Sequence, residues 1–335
     1  MSKKSPVFIF GSARSGTSLL SRIVGNHPNI AVPFESHLYN TFYPWLKLYG
    51  DLHKAENRRR LVQDILSTAD LLDWTPRPIE VKTLEAIERY DFHGVVDALM
   101  MEWTKLSGKQ RWGEKTPWHI YYWREILEGF PDMKVIHIVR DGRDASLSWQ
   151  NARFGPKHIY HLAIRWKGYL AHVAELQKEI KPEQFFELRY EDLLDNSEKI
   201  TKNICEFLGE EFSVDMLGFY RENVIYPTDK KNLLNLSQPL IKNNKNKWRK
   251  TMKQREIRIF EAVAGDMLKK YNYDCVVDTP VISNFEKVIM KYIEHPPRRV
   301  VAMLKNTKGL RDAARLWRIY LCLRLGIESP WRKNE

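Results

Sequence analysis

Cysteine is scarce in this chain of 335 residues: Cys205, Cys275 and Cys322 stand far apart, and no Cys-x-x-Cys occurs. That excludes a disulfide framework and a thiolate zinc site, and it suits a reducing compartment, expected here to be the cytoplasm. Long hydrophobic runs are missing as well. None reaches the roughly 18 residues of a membrane span, and the apolar run after Lys3-Lys4 stops at Gly11, too short for the core of a secretory leader. There is no acidic excess either, since 54 Lys and Arg face 42 Asp and Glu for a formal charge of +12. The surplus is uneven. Residues 298–335 hold ten Lys or Arg against three Asp or Glu, which is +7 of the +12 and leaves +5 on the other 297 residues. The main body therefore makes no case for a nucleic-acid partner. A composition of 43% hydrophobic and 29% charged residues is that of a folded globular chain.

What is present is organised around Val7-Phe8-Ile9-Phe10 and the loop that follows it. Four apolar residues read as a buried strand, and Gly11-Ser12-Ala13-Arg14-Ser15-Gly16-Thr17-Ser18 then opens into an apolar-periodic helix from Thr17 to Asn26. Glycines at 11 and 16 permit a tight backbone, and free amides at a helix start favour an anion, so this is a phosphate cradle. The Gly-x4-Gly spacing is that of a P-loop, but Thr17 stands where nucleoside-triphosphate binders carry lysine. Arg14 is the nearby cation, a planar fork suited to an oxyanion without an evident metal.

Further along, Ile30-Ala31-Val32 reads as a short strand that delivers Pro33-Phe34-Glu35 to the same sheet edge, beside the ligand crevice of a parallel sheet. Residues 36–110 are aromatic-rich and expected to be mostly helical, with a Pro-broken turn at Thr75-Pro76-Arg77-Pro78. Arg111-Trp112-Gly113-Glu114-Lys115-Thr116-Pro117 reads as a turn-like stretch before a helix near Tyr121 to Glu128. Lys134 to Val139 is a central strand that ends in Arg140-Asp141-Gly142-Arg143, a second strand, turn and helix with arginine at the strand's end and hence a second anion site. His158 to Ile180 is a long helix; His158 and His161 lie one turn apart without a third ligand in view, so no metal is expected. Gln184 to Leu188 is another strand, Glu198 to Leu208 a helix closed by Gly209, and Gln254 to Tyr271 a helix that finishes the domain. Strands alternating with helices predict an α/β fold with a mainly parallel sheet.

From about Pro6 to Tyr273 the chain resembles the sulfotransferases that use 3'-phosphoadenosine 5'-phosphosulfate (PAPS), the tyrosylprotein and carbohydrate branch more than the cytosolic small-molecule branch. Arg14 to Leu19 is similar to that family's 5'-phosphosulfate loop, Val139 to Arg143 with Ser148 to its 3'-phosphate motif, and Arg189 to Leu193 with Phe207-Leu208-Gly209 to a third block. The resemblance implies that Arg14, Ser15, Gly16, Thr17 and Ser18 hold the 5'-phosphosulfate, that Arg140 and Ser148 hold the 3'-phosphate, and that Tyr190 helps bind the nucleotide. Ser237 and Lys242 resemble late nucleotide contacts. The tyrosylprotein branch takes the acceptor's proton with a glutamate 21 residues after the loop arginine, which here is Glu35. The cytosolic branch has a histidine two residues after its lysine; that position is Pro117, and His119 is the fallback base. Lys115 matches the family's Lys-x-Pro lysine, implying that it neutralises the leaving phosphate together with Arg14.

The expectation is thus a metal-free transfer of a sulfuryl group from PAPS to a hydroxyl or amine, with PAP as product. The alternatives are a P-loop phosphotransferase or kinase, which leaves the second anion site unexplained, and a non-catalytic nucleotide- or polyanion-binding relative. The acceptor is open among glycan, lipid, peptide and small molecule. Residues 1–275 form the expected catalytic domain, and residues 276–335 a basic, helical extension. Leu310 to Leu325 reads as a helix with a basic flank, which either packs on the domain or a second subunit, or makes peripheral contact with a membrane.

Overall fold

A computed structural model describes residues 4–72, 74, 87, 89–152, 155–221, 236–304 and 306–327. The turn expected at 75–78 lies outside them. Five strands, β1 (Val7–Phe10), β2 (Ile30–Ala31), β3 (Arg111–Glu114), β4 (Lys134–Val139) and β5 (Phe185–Arg189), form one sheet in the order β2-β3-β1-β4-β5. Every pairing is parallel, with Val7 opposite Gly113 on one side of β1 and Lys134 on the other. The predicted α/β class is what the structure shows.

The sheet is buried on both faces because β1 is apolar at every position. Val7 and Ile9 point into one cluster with Leu20, Ile23 and Ile204, and Phe8 and Phe10 into the other with Leu38, Tyr39 and Trp112. Alternate residues of one strand thus feed two cores, as a parallel sheet with helices on both sides requires. The helices Thr17–Gly25 and Ser197–Leu208 cover the first face, the latter closed by Gly209 at φ 67°. Phe92–Leu106 and part of Ile159–Glu179 cover the second. A third cluster joins Trp166 of that long helix to Trp248, Ile257 and Phe260 near and on the helix Gln254–Lys270.

At two places the structure differs from the sequence expectation. Arg111 to Glu114 is not a turn but β3, inserted between β2 and β1. Its Gly113 is crowded by strands on both sides, where a Cβ would sit 3.0 Å from a Val32 methyl and 3.3 Å from the Val7 carbonyl oxygen. The polar ends that disguised it are satisfied internally: Arg111 donates to the carbonyls of Ser5 and Leu208, at 2.7 Å each, and Glu114 accepts from three side chains. The helix expected from Tyr121 starts instead as a 3₁₀ turn over Pro117–Tyr122 and continues as α-helix over Trp123–Gly129.

Beyond residue 275 the described residues of the chain form the helices Asn284–Ile289, His295–Leu304 and Thr307–Leu325, after a non-helical stretch over 276–283. Its last helix packs on the domain through Leu316, Ile319 and Leu323, which join the core cluster under Phe8. Among the described residues no helix is long and apolar enough to cross a membrane.

Candidate active site

All five strands end at one edge, and each delivers a piece of the site there, as open parallel sheets do with their ligand crevices. β1 runs into the glycine loop. A Cβ on Gly11 would meet the Ile138 carbonyl oxygen at 2.7 Å, and one on Gly16, at φ 92°, would lie 2.3 Å from the Tyr190 ring. These two positions need glycine, for close approach at the first and for both approach and left-handed backbone at the second. Gly16, Thr17 and Ser18 then line a cavity of about 560 Å³ at the amino end of the helix Thr17–Gly25. Ser15 is not among its lining residues; it is fully buried, and its amide donates to the Ser12 carbonyl at 3.0 Å.

β4 delivers the second cation. Arg140 lines the same cavity, donates from Nη1 to the Arg14 carbonyl at 3.1 Å and from Nη2 to the Asn244 carbonyl at 2.9 Å, and stacks 4.5 Å from the centre of the Tyr190 ring. Its Nε is buried without a partner, a donor held in reserve. Arg14 donates from Nε to the Ser148 hydroxyl at 2.9 Å, so both arginine motifs and Ser148 meet around one space. Burial, and then repulsion from Arg140, lowers the Arg14 pKa. Two guanidiniums held this close call for an anion between them. Arg143, the second arginine of the β4 motif, plays another part. It is buried, paired with Asp141 at 2.8 Å and Glu261 at 2.7 Å, and stacked on Trp248, which fixes the turn rather than the ligand.

Tyr190, at the end of β5, closes the cavity against Gly16 and accepts a hydrogen bond at its hydroxyl from Asn244 Nδ2 at 2.8 Å. Of the late residues predicted, Ser237 and Lys242 are exposed and off the cavity wall, which is built instead by Leu236, Leu240, Asn244 and Lys247. Nothing in that lysine- and asparagine-rich stretch distinguishes Asn244 and Lys247 by pattern.

β2 and β3 supply the other half. The Lys115 ammonium, itself buried, donates to Glu35 Oε1 at 2.5 Å and to the Ser18 hydroxyl at 3.1 Å, bridging the carboxylate to the glycine loop. His37 Nε2 lies 3.3 Å from Glu35 Oε2. Burial acts to raise the Glu35 pKa, but Lys115 and the His37 hydrogen bond outweigh it and hold the carboxyl well below the usual range. His119 is placed differently. It is fully buried, with Nδ1 against Glu114 Oε2 at 2.9 Å and Nε2 accepting from the Tyr39 amide at 3.3 Å. Those partners assign the proton to Nδ1. Glu114 also accepts from Ser36 at 2.8 Å and Thr116 at 2.6 Å, pinning the segment after Glu35 to the segment after Lys115. Among the described residues no group of three His, Cys, Asp or Glu is placed to hold a metal. His158 instead caps the helix it precedes and pairs with Glu294.

A glycine loop opening a helix, two converging arginines and a lysine at the carboxyl edge of a parallel sheet place the chain in the P-loop-type α/β class. The chain belongs to the sulfotransferase family, whose sequence model, "Sulfotransferase family", matches residues 6–214. Its fold is similar to the sulfotransferase domain from the Synechococcus PCC 7002 olefin synthase, at 22% identity and a TM-score of 0.58, covering 82% of this chain and 97% of that one. The sulfotransferase domain from the curacin biosynthetic pathway gives 16% identity and a TM-score of 0.53, over 81% and 98% of the two chains. A curated "Uncharacterized protein" of Aquifex aeolicus (strain VF5) is 24% identical over 261 residues, 74% of this chain but only 31% of that protein's length.

Proposed function

We propose that this chain transfers a sulfuryl group from PAPS to a hydroxyl or amine acceptor in the cytoplasm, releasing PAP and using no metal. The observation that carries the reading is the convergence of Arg14, Ser148 and Arg140 on one cavity that Lys115 joins, through Ser18, to an ionised carboxylate. Arg140 and Ser148 are assigned to the 3'-phosphate, and Arg14 with the Gly16 to Ser18 amides to the 5'-phosphosulfate. As the acceptor's oxygen or nitrogen bonds to sulfur, the bond from sulfur to the departing phosphate oxygen breaks. Glu35 accepts the proton lost by the acceptor, and Lys115 and Arg14 offset the charge gathering on the phosphate. A carboxylate 21 residues after Arg14 favours the tyrosylprotein type of mechanism. The engaged nitrogens of His119 speak against the cytosolic histidine type. The acceptor itself is a glycan, lipid, peptide or small metabolite.

Nucleotide titration tests the donor assignment. Arg140→Ala is expected to weaken PAP binding by about 1.5–3 kcal/mol, the scale of a charge-assisted contact, while adenosine 5'-phosphosulfate, which lacks the 3'-phosphate, binds mutant and parent nearly alike. Equal loss for the two nucleotides would overturn the placement of Arg140. Labelled PAPS incubated with candidate acceptors reads out the transfer itself, and no labelled product with any acceptor would leave a binding protein.

A further inference from the structure

The helix Thr307–Leu325 has two apolar faces, and the catalytic domain uses one. Leu316, Ile319 and Leu323 lie inward in the core, and Tyr320 meets the Trp45 ring at 5.3 Å. Leu310, Trp317, Leu321 and Leu325 repeat at intervals of seven, four and four, which puts them in a single stripe on the opposite side of the helix. They are 48%, 63%, 48% and 67% exposed. An ordinary surface helix needs one apolar stripe, so the second is surplus to the packing of this domain. The preceding helix continues the pattern: no residue of His295–Leu304 is buried, and Val300, Val301, Met303 and Leu304 are at least half exposed.

Charge identifies the occupant. Residues 295–327 carry eight Lys or Arg against the lone Asp312. At 100° per residue Arg311 and Arg318 border the outer stripe on one side and Arg324 on the other, and all three are exposed. Two copies of this face would bring like charges together, which disfavours self-association through it. An apolar stripe edged by arginines fits a surface with negative charge above and hydrocarbon beneath it, and the helices are too polar to cross it.

We propose that the outer face of the C-terminal extension docks, lying flat, on the surface of an anionic lipid bilayer. The inner face keeps the catalytic domain attached, so docking needs no rearrangement of the site. This does not depend on what the cavity binds.

Flotation of the 335-residue chain with vesicles tests it. The parent is expected to float with vesicles of phosphatidylcholine and phosphatidylglycerol, to stay down with phosphatidylcholine alone, and to be released by salt. Leu310→Glu/Leu321→Glu, which puts charge into the stripe, is expected to lower the bound fraction at least about tenfold with an unchanged circular dichroism spectrum. Arg311→Ala/Arg318→Ala leaves the stripe intact and serves if the first variant misfolds; it is expected to weaken binding to anionic vesicles. Failure of the parent to float, equal flotation on neutral vesicles, or parental flotation by either folded variant overturns the proposal. So does a parent dimer that Leu310→Glu/Leu321→Glu converts to monomer without any flotation, which would make the face a protein interface.

Discussion

Glu35→Gln is expected to lower kcat by about 10² to 10⁴, the usual contribution of a positioned general base, while the affinity for PAP stays at the parental value. The amide keeps the size of the carboxylate and still accepts from Lys115, so what is lost is the ability to take a proton. The parent's pH profile is the accompanying signature. A base must be deprotonated to work, and Glu35 is held ionised well below the ordinary carboxylate range by Lys115 and His37 against the effect of burial. The rate should therefore hold as pH falls from 7 to 5, and be lost only as pH drops through the depressed carboxyl pKa. A histidine base would instead lose activity through about pH 6.5. Normal turnover by Glu35→Gln, together with loss of turnover by His119→Ala, would move the base to another residue.

Lys115→Met is expected to cost about 10² to 10³ in kcat, the scale of losing one preorganised donor to the departing charge. It should also change the profile in a direction the geometry fixes. Without the ammonium at 2.5 Å, burial acts on Glu35 with less opposition, so the carboxyl pKa rises and the acid limb moves up toward the measurable range. PAP affinity should change far less than kcat. A variant that loses PAP binding in proportion to kcat would make Lys115 a binding group only, and an acid limb that stays where the parent has it would break the link between Lys115 and Glu35.

The two halves of this site differ in how openly the sequence declares them. The half built on the glycine loop and Arg140 is local: Gly11 and Gly16 follow an apolar strand and precede an apolar-periodic helix, and Arg140 follows another such strand, so chain pattern and three-dimensional placement coincide. β3 is the opposite case. With arginine at one end, glutamate at the other and glycine between them, it has almost no apolar signal, and it is a central strand only because residues from the chain's start and from around 208–210 satisfy Arg111. Long-range partners of that kind leave no trace in a local window. The same applies to His119, whose engagement with Glu114 and the Tyr39 amide depends on how two distant segments fold together. Ser237 and Lys242 fall off the cavity wall while Asn244 falls on it, because contact there is set by the path of an irregular stretch rather than by a repeat.

The central position of β1 bears on the order of events during synthesis. Its neighbours are β3, entering at residue 111, and β4, entering at 134, so β1 has no sheet partner until synthesis has gone past residue 111. Until then its four apolar residues lack their sheet partners, and pairing over such separations is slow. The cavity is later still, since Tyr190 and Asn244 complete its wall. A ligand of this cavity would therefore find no completed binding site on a chain not yet extended past Asn244, and by mass action would favour only molecules that have finished folding.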